Sequence, residues 1–414
     1  MRAAFVCIVQ TGGFFRLRGS VQIIVKPRIG TCLLWRARPF VFFFHGTEMI
    51  NSDKDKSIAV YDFFCGCGGT SSGFQKAGMD IAFALDTDQD ARGTFTKNFP
   101  DTIFCDKSIK ELSVSDLQKA LARHKNSYKL FCGCAPCQPF TKQNTESPKR
   151  DERKSLLTHF GNIIKVCEPD FVFVENVPGL QKVPKHKRGP FPAFKDLLKE
   201  MDYKITYGVV AAQDYGAPQL RRRFVLLASK HGDISIPAPT HGNSGENSYK
   251  TVRDAIVGLP AIAAGEIYTG PDALNHRAAM LSELNTKRIK ASAHDGGGRN
   301  DWPKNLWPEC YTRMDENGKT HSGHTDCYGR LWWDKPATGL TTRCISYSNG
   351  RFGHPEQDRA ISVREAARLQ GFDDHFEFTG NLNSMARQIG NAVPVDLAFA
   401  MGNHFIKHLE AIHG

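Results

Sequence analysis

The 414-residue sequence has no apolar run long enough to cross a bilayer. The densest, "PFVFFFHG" at 39–46, falls well short of the roughly 20 residues a membrane helix needs. No small-residue cleavage pattern accompanies that run, which excludes a secretory signal. Without an export signal, 12 cysteines spread over the whole chain read as reduced thiols and not as a disulfide framework. Acid is missing from residues 1–47, which carry seven Lys/Arg (Arg2, Arg16, Arg18, Lys26, Arg28, Arg36 and Arg38). Serine is also scarce there and no amphipathic period holds, which argues against an organelle transit peptide. Met49, opening "MINSDKDKSIAVYDFF", reads as the true start, and residues 1–56 are expected to lie outside the fold. Internal repeats and low-complexity tracts are absent as well, which excludes a solenoid.

What remains is a chain with enough apolar content, 41%, to fill a sizeable core. Taking the seven N-terminal bases from the net +11 leaves +4 for residues 48–414, a mild basicity compatible with a nucleic-acid cleft. From residue 57, apolar strand patterns alternate with helical ones. "SIAVYDFF", "MDIAFALD", "YKLFCGC" and "PDFVFVENV" are strands, and "QDARGTFTKNF" and "KSLLTHFGNIIKVC" are helices. Such alternation predicts an α/β fold with a parallel sheet covered on both faces. "YKITYGVVAAQDYG" and "RRFVLLASK" add two strands and close a domain spanning 57–230. Residues 231–360 are rich in Gly, Pro, Asn and His, and predict a smaller, loop-rich domain. Helical pattern returns in 361–414: Ser362 is placed to cap "SVREAARLQGF" with Glu365 as capping-box partner, and Pro394 opens a last helix.

In open parallel sheets ligands bind beyond the carboxyl ends of the strands, where "DFFCGCGGTSSG" ends the first one. Gly66, Gly68 and Gly69 allow close approach to the backbone, but Ser71 stands where a dinucleotide fingerprint needs glycine. Asp86, ending the second strand, can accept from both ribose hydroxyls, and Asp106, after the next, can reach an adenine amine. Either acid also suits an ordinary βα connection.

"GCAPCQPF" at 133–140 admits three chemistries. A thioredoxin-like pair of Cys134 and Cys137 conflicts with Pro139 and lacks a thioredoxin-sized unit. A zinc site lacks a second ligand pair; Cys65 with Cys67, or Cys310, Cys327, His321 and His324, do not have the spacing. A single nucleophile at Cys137 is the third, and its thiol, with a free pKa near 8.5, would need activation.

"DFFCGCGGTSSGF", "GCAPCQPF", "ENV" at 175–177, "QDYGAPQLRRRFVLLA", "SVREAARLQGF" and "QIGNAVPV" occur in the order found in DNA (cytosine-5) methyltransferases, and the chain from about 57 to 412 resembles that family. The resemblance implies a Rossmann-like, S-adenosylmethionine-dependent methyltransferase fold with a mostly parallel twisted sheet, and a target-recognition domain in 231–360. It implies that Cys137 adds to C6 of a cytosine, so that C5 becomes nucleophilic, and that Glu175 binds the exocyclic amine and protonates N3. Asn176 would orient that strand end. Gln219, Arg221 and Arg223 match the family's Gln-x-Arg-x-Arg, with the arginines on one strand face gripping the base O2, the thiolate loop and the DNA backbone. For S-adenosylmethionine it implies Phe64 stacked on adenine, Asp86 on ribose, Asp106 on the adenine amine, Asn391 near the methionine end and Leu156 in the wall. The remaining thiols near these motifs, Cys65, Cys67, Cys132 and Cys134, need no catalytic role.

Further implications are a cytosine flipped out of double-stranded DNA, a basic lid in the loop after Cys137, and "TTR" at 341–343 closing the recognition region. Thr141 for serine and Asp86 for glutamate are mild departures that remove no functional group, so an active enzyme is expected. The compact length implies a bacterial or phage restriction-modification enzyme: cytoplasmic and nucleoid-associated, monomeric, without a membrane partner, and with a companion restriction endonuclease acting on the same site. Rival readings are a tRNA cytosine methyltransferase of the same fold and a catalytically silent DNA-binding regulator, though the Pro-Cys and Glu-Asn-Val motifs are intact.

Overall fold

Every residue of strand β1 (Ile58–Phe63) is buried, and its successive side chains enter two different cores. Ile58 and Val60 face one, Ala59, Tyr61 and Phe63 the other, as strand geometry requires of a sheet covered on both sides. The structure, a computed structural model, describes residues 56–135, 156–179, 190–311 and 326–413. Residues 1–55, Cys137, Thr141 and the lid loop, His321 and His324 lie outside the described residues.

After β1 come α1 (Gly69–Lys76), β2 (Asp80–Leu85), α2 (Gln89–Asn98), β3 (Ile103–Cys105), α3 (Val114–Arg123) and β4 (Tyr128–Gly133). The alternation continues with α4 (Leu156–Cys167), β5 (Phe171–Asn176), α5 (Pro190–Glu200), β6 (Lys204–Ala211), β7 (Gln219–Leu220) and β8 (Arg222–Ser229). The described residues of 231–360 hold only short elements: α6 (Val252–Ile256), α7 (Glu283–Lys290), β9 (Ala337–Thr338) and single 3-10 turns. The chain closes with α8 (Val363–Leu369), α9 (Leu382–Asn391) and α10 (Val395–His413).

Seven strands form one sheet in the order β3-β2-β1-β4-β5-β8-β6. Pairing is parallel from β3 through β5, whereas β8 runs antiparallel to both β5 and β6. The reversal follows from the connection: β6 reaches β8 through residues 212–221, which turn at Ala212–Tyr215 and hold no α-helix to carry a crossover, so the chain doubles back beside itself. The order reverses between β1 and β4, which opens a crevice at their carboxyl ends.

One sheet face packs a ring cluster, in which Phe63 lies 5.2 Å from Phe131 and 5.3 Å from Phe160. The other face is covered by α1, by α10 and by residues such as Leu331, Ile345, Ile361 and Leu369. The capping box at α8 is present: Glu365 N–H donates to Ser362 Oγ at 3.1 Å, and Ser362 N–H to Glu365 Oε2 at 2.7 Å. Glu365 also takes two bonds from the buried guanidinium of Arg359, each 2.7 Å, which offsets the cost of placing both charges inside. Among the described residues no helix is long and apolar enough to cross a membrane.

Candidate active site

A cavity of about 510 Å³ opens at the carboxyl ends of β1, β2, β4 and β5. Phe64 lines it with φ +66°, a left-handed conformation that costs a bulky residue strain. Two backbone bonds to Leu85 O, from Phe64 N–H at 2.8 Å and Cys65 N–H at 3.1 Å, hold it there. Gly68 caps α1 at φ +101°, where a Cβ would also strike Phe99 at 2.6 Å, so this glycine serves the turn and lies outside the cavity wall. Gly66 lines the cavity and faces open space. Gly69 lines it too, but a Cβ there would meet Val393 O at 2.5 Å, so its smallness admits the loop after α9.

Asp86 ties the glycine turn to the end of β2. Its Oδ2 accepts from Gly66 N–H at 2.8 Å and its Oδ1 from Asp88 N–H at 2.9 Å. Burial pushes its pKa up, and the two backbone donors oppose that. Each oxygen keeps a lone pair for a further donor from the cavity. Asp88 caps α2 through Asp90 N–H and Ala91 N–H, and Arg387 pairs with both Asp88 and Asp90 at the rim, 3.1 and 3.2 Å away. Asp106 is not in the wall; its carboxylate sits half-exposed against Arg92, while Ser108 and Ile109 line the cavity instead.

On the opposite wall β5 delivers Glu175 and Asn176, and β8 delivers Arg223. Glu175 is buried and its Oε1 lies 2.7 Å from Arg223 Nε. Burial raises its pKa, while Arg223 and then Arg221 pull it back down. Asn176 Nδ2 donates to Ala135 O at 3.0 Å and its Oδ1 accepts from Val177 N–H at 2.8 Å, fixing the chain where β4 leaves the sheet. Cys134 Sγ, 3.5 Å from Thr70 Oγ1, shares this wall, and burial holds its thiol well above the ordinary range. Burial likewise raises Cys65, Cys67 and Cys132, which suits packing and not nucleophilic chemistry.

Of the expected site residues, Phe64, Gly66, Gly69, Asp86, Leu156, Glu175, Asn176, Arg221, Arg223 and Asn391 share this cavity. Gly68, Asp106 and Gln219 do not line it. Arg221 is buried and donates to Leu340 O and, at 2.7 Å, to Gly390 O. Burial lowers its pKa to about 9. Sequence reasoning missed Asp88, Arg387, Thr341 and Thr342 as wall residues. Asp88 was recoverable as a helix cap ahead of "QDARG"; for Arg387, on the exposed face of α9, no local signal existed.

The family model of C-5 cytosine-specific DNA methylases matches residues 58–407. The chain is 41% identical to Type II methylase M.HgiDII of Herpetosiphon aurantiacus, over 86% of this chain and 97% of that one. It is 33% identical to Type II methyltransferase M1.HphI of Haemophilus parahaemolyticus, over 85% and 87%. Among solved structures, a prophage-encoded protein of E. coli described as a DNA modification methyltransferase superposes with TM-score 0.65 at 25% identity, covering 86% of this chain and all of that one. A match that spans the sheet, the cavity, α8, α9 and most of α10 leaves one family, and the chain belongs to the C-5 cytosine-specific DNA methylases, enzymes that transfer the methyl group of S-adenosylmethionine to C5 of cytosine in DNA.

Proposed function

We propose that the cavity binds S-adenosylmethionine beside a cytosine flipped out of double-stranded DNA, and that Cys137, Glu175 and Arg223 carry the chemistry. The wall suits a nucleoside: an aromatic ring at Phe64, free lone pairs on Asp86, open space at Gly66, and Leu156 and Asn391 farther along. Asp106 takes the expected place at the adenine amine only by exchanging Arg92 for it. When bound, S-adenosylmethionine supplies a methyl group on a positively charged sulfur. Cys137 adds to C6 of the cytosine and breaks its aromaticity, so that C5 can act as a nucleophile. Glu175 accepts from the exocyclic amine and delivers a proton to N3, for which a pKa raised by burial suits it. Asn176 holds Ala135, two residues before Cys137, and so steadies the base of the nucleophile's loop.

The observation that carries this reading is the buried Glu175–Arg223 pair on one wall facing Phe64 and Asp86 on the other. Residues 231–360, with short elements and long connections, are assigned to target recognition, 57–230 and 361–414 to the catalytic body, and the basic loop after Cys137 to a lid. A monomer acting in the bacterial or phage-infected cytoplasm, next to a restriction endonuclease of the same specificity, completes the assignment. Expression of the chain followed by bisulfite sequencing of host DNA should show 5-methylcytosine in one sequence context. Cys137→Ala should abolish it and still bind S-adenosylhomocysteine. Turnover in that variant, or methylation of tRNA alone, refutes the proposal.

A further inference from the structure

Gln219 belongs to the family's Gln-x-Arg-x-Arg pattern, yet it is fully buried and does not line the cavity. All its polar atoms are engaged elsewhere. Its Oε1 accepts from Leu340 N–H at 3.2 Å; its Nε2 donates to Leu369 O at 2.9 Å and to Gln370 Oε1. Gln370, equally buried, passes the chain on: its Nε2 donates to Ala392 O, and its own carbonyl accepts from Val395 N–H at 3.0 Å. The result is a continuous buried path, Leu340–Gln219–Gln370–Ala392, with a backbone atom at each end. Both ends abut the cavity: Leu340 precedes the wall residues Thr341 and Thr342, and Ala392 is itself in the wall.

Arg221 closes the same loop from the other side by joining Leu340 O to Gly390 O. Gly390 lies so close to residue 341 that a Cβ would come within 2.2 Å of Thr341 O. The Leu340 N–H and C=O are thus held separately by two residues of one short segment. The side-chain amides of both glutamines are fully paired, although Arg221 Nε has no partner among the described residues. A buried polar chain paired in this way is stiff, and displacement at one end must break a bond or move the other end.

We infer that Gln219 and Gln370 are positioning residues that couple the cofactor side of the cavity, Gly390–Val393, to segment 337–342 at the end of the target-recognition region. A ligand that orders the first then orders the second, and the coupling is reciprocal. The inference rests on the placement of S-adenosylmethionine in the cavity proposed above.

The test is amide hydrogen exchange of the full chain with and without S-adenosylhomocysteine, for the wild type, Gln370→Met and Gln219→Met. In the wild type, the ligand should slow exchange in peptides holding Gly66 and Asp86 and, on the order of tenfold, in the peptide covering 337–345. In Gln370→Met the slowing near Gly66 and Asp86 should remain, with affinity for S-adenosylhomocysteine within about threefold of wild type, while slowing in 337–345 disappears. Gln219→Met should behave alike.

If the wild type shows no slowing near Gly66 and Asp86, the cofactor placement itself is wrong. If those peptides are slowed and 337–345 is not, or if it stays slowed in both variants, the coupling is refuted with the placement intact. Failure of both variants to melt cooperatively would assign the two glutamines to the fold as a whole and equally overturn the inference.

Discussion

Asp62 is fully buried in β1, with Oδ2 accepting from Ser71 Oγ at 2.7 Å and Oδ1 without a partner among the described residues. Burial, the largest cause, pushes its pKa up to about 7. A carboxyl whose folded pKa exceeds its unfolded value keeps its proton longer in the native state. Stability is therefore full below the unfolded value near 4 and falls as pH rises through about 7. Asp62→Asn removes the titration, so between pH 4 and pH 8 the variant should gain on the wild type by up to about 4 kcal/mol. Urea unfolding at the two pH values measures this; a gap that does not change with pH would show that Asp62 is ionised throughout. Arg223 poses the matching question at the cavity. Arg223→Ala removes the stronger of the two cations that oppose burial at Glu175 and leaves only Arg221, so the Glu175 pKa rises further and the alkaline fall in kcat should move to higher pH. Loss of the orienting ion pair should also lower kcat roughly 10- to 100-fold, part of what a positioned proton donor supplies. A pH–rate profile reads both effects.

Between elements, buried arginines do the work that regular structure does in the sheet. The described residues of 231–360 have few strands to satisfy their backbone, and Arg330, wholly buried, donates to His354 O at 3.0 Å, Gln357 O at 2.8 Å and Ile289 O at 2.9 Å. It thereby ties α7 to the segment ahead of α8. Arg330→Met keeps the bulk but removes all three donors: Gln357 O retains Arg359 N–H and Ile289 O retains Ser292 N–H, while His354 O loses the donor it has from Arg330. One stranded carbonyl at about 1–3 kcal/mol and two lost bonds at about 1 kcal/mol each, less the cost of burying the guanidinium, should give a net loss of roughly 2–4 kcal/mol. A chemical-denaturation midpoint checks this, and an unchanged midpoint would mean that water replaces the three donors. Helix α9 escaped sequence reasoning because only its end, "QIGN", stood out as part of a motif, while the amphipathic pattern of "LNSMARQIGN" went unread. The antiparallel run of β8 escaped because periodicity marks a strand without giving its direction; the short Ala212–Tyr215 turn supplies that.

For the molecule as a whole, the charge distribution yields a further expectation. The seven N-terminal bases account for most of the net +11, yet the family match begins only at residue 58. A chain of residues 49–414 should therefore melt within about 2 °C of the full-length protein and methylate the same sites at the same rate, because it keeps the whole matched stretch and every proposed site residue. A drop in either would give the basic segment a part in folding or DNA binding. Parallel scans of melting temperature and methylation rate decide it.

The sequence by itself determined the alternating α/β order, the sheet covered on both faces, the α8 capping box and the presence of a glycine turn at Gly66–Gly69. Each follows from local period, cap or glycine, which neighbouring residues carry in full. Only the tertiary structure decided that Gln219 faces Gln370 and not the cavity, that Asp106 pairs with Arg92, and that Arg221 spans Leu340 and Gly390. Those partners lie from 14 to 169 residues apart in the chain. The contacts depend on which segments the sheet order brings side by side, and a residue's type and spacing leave that open.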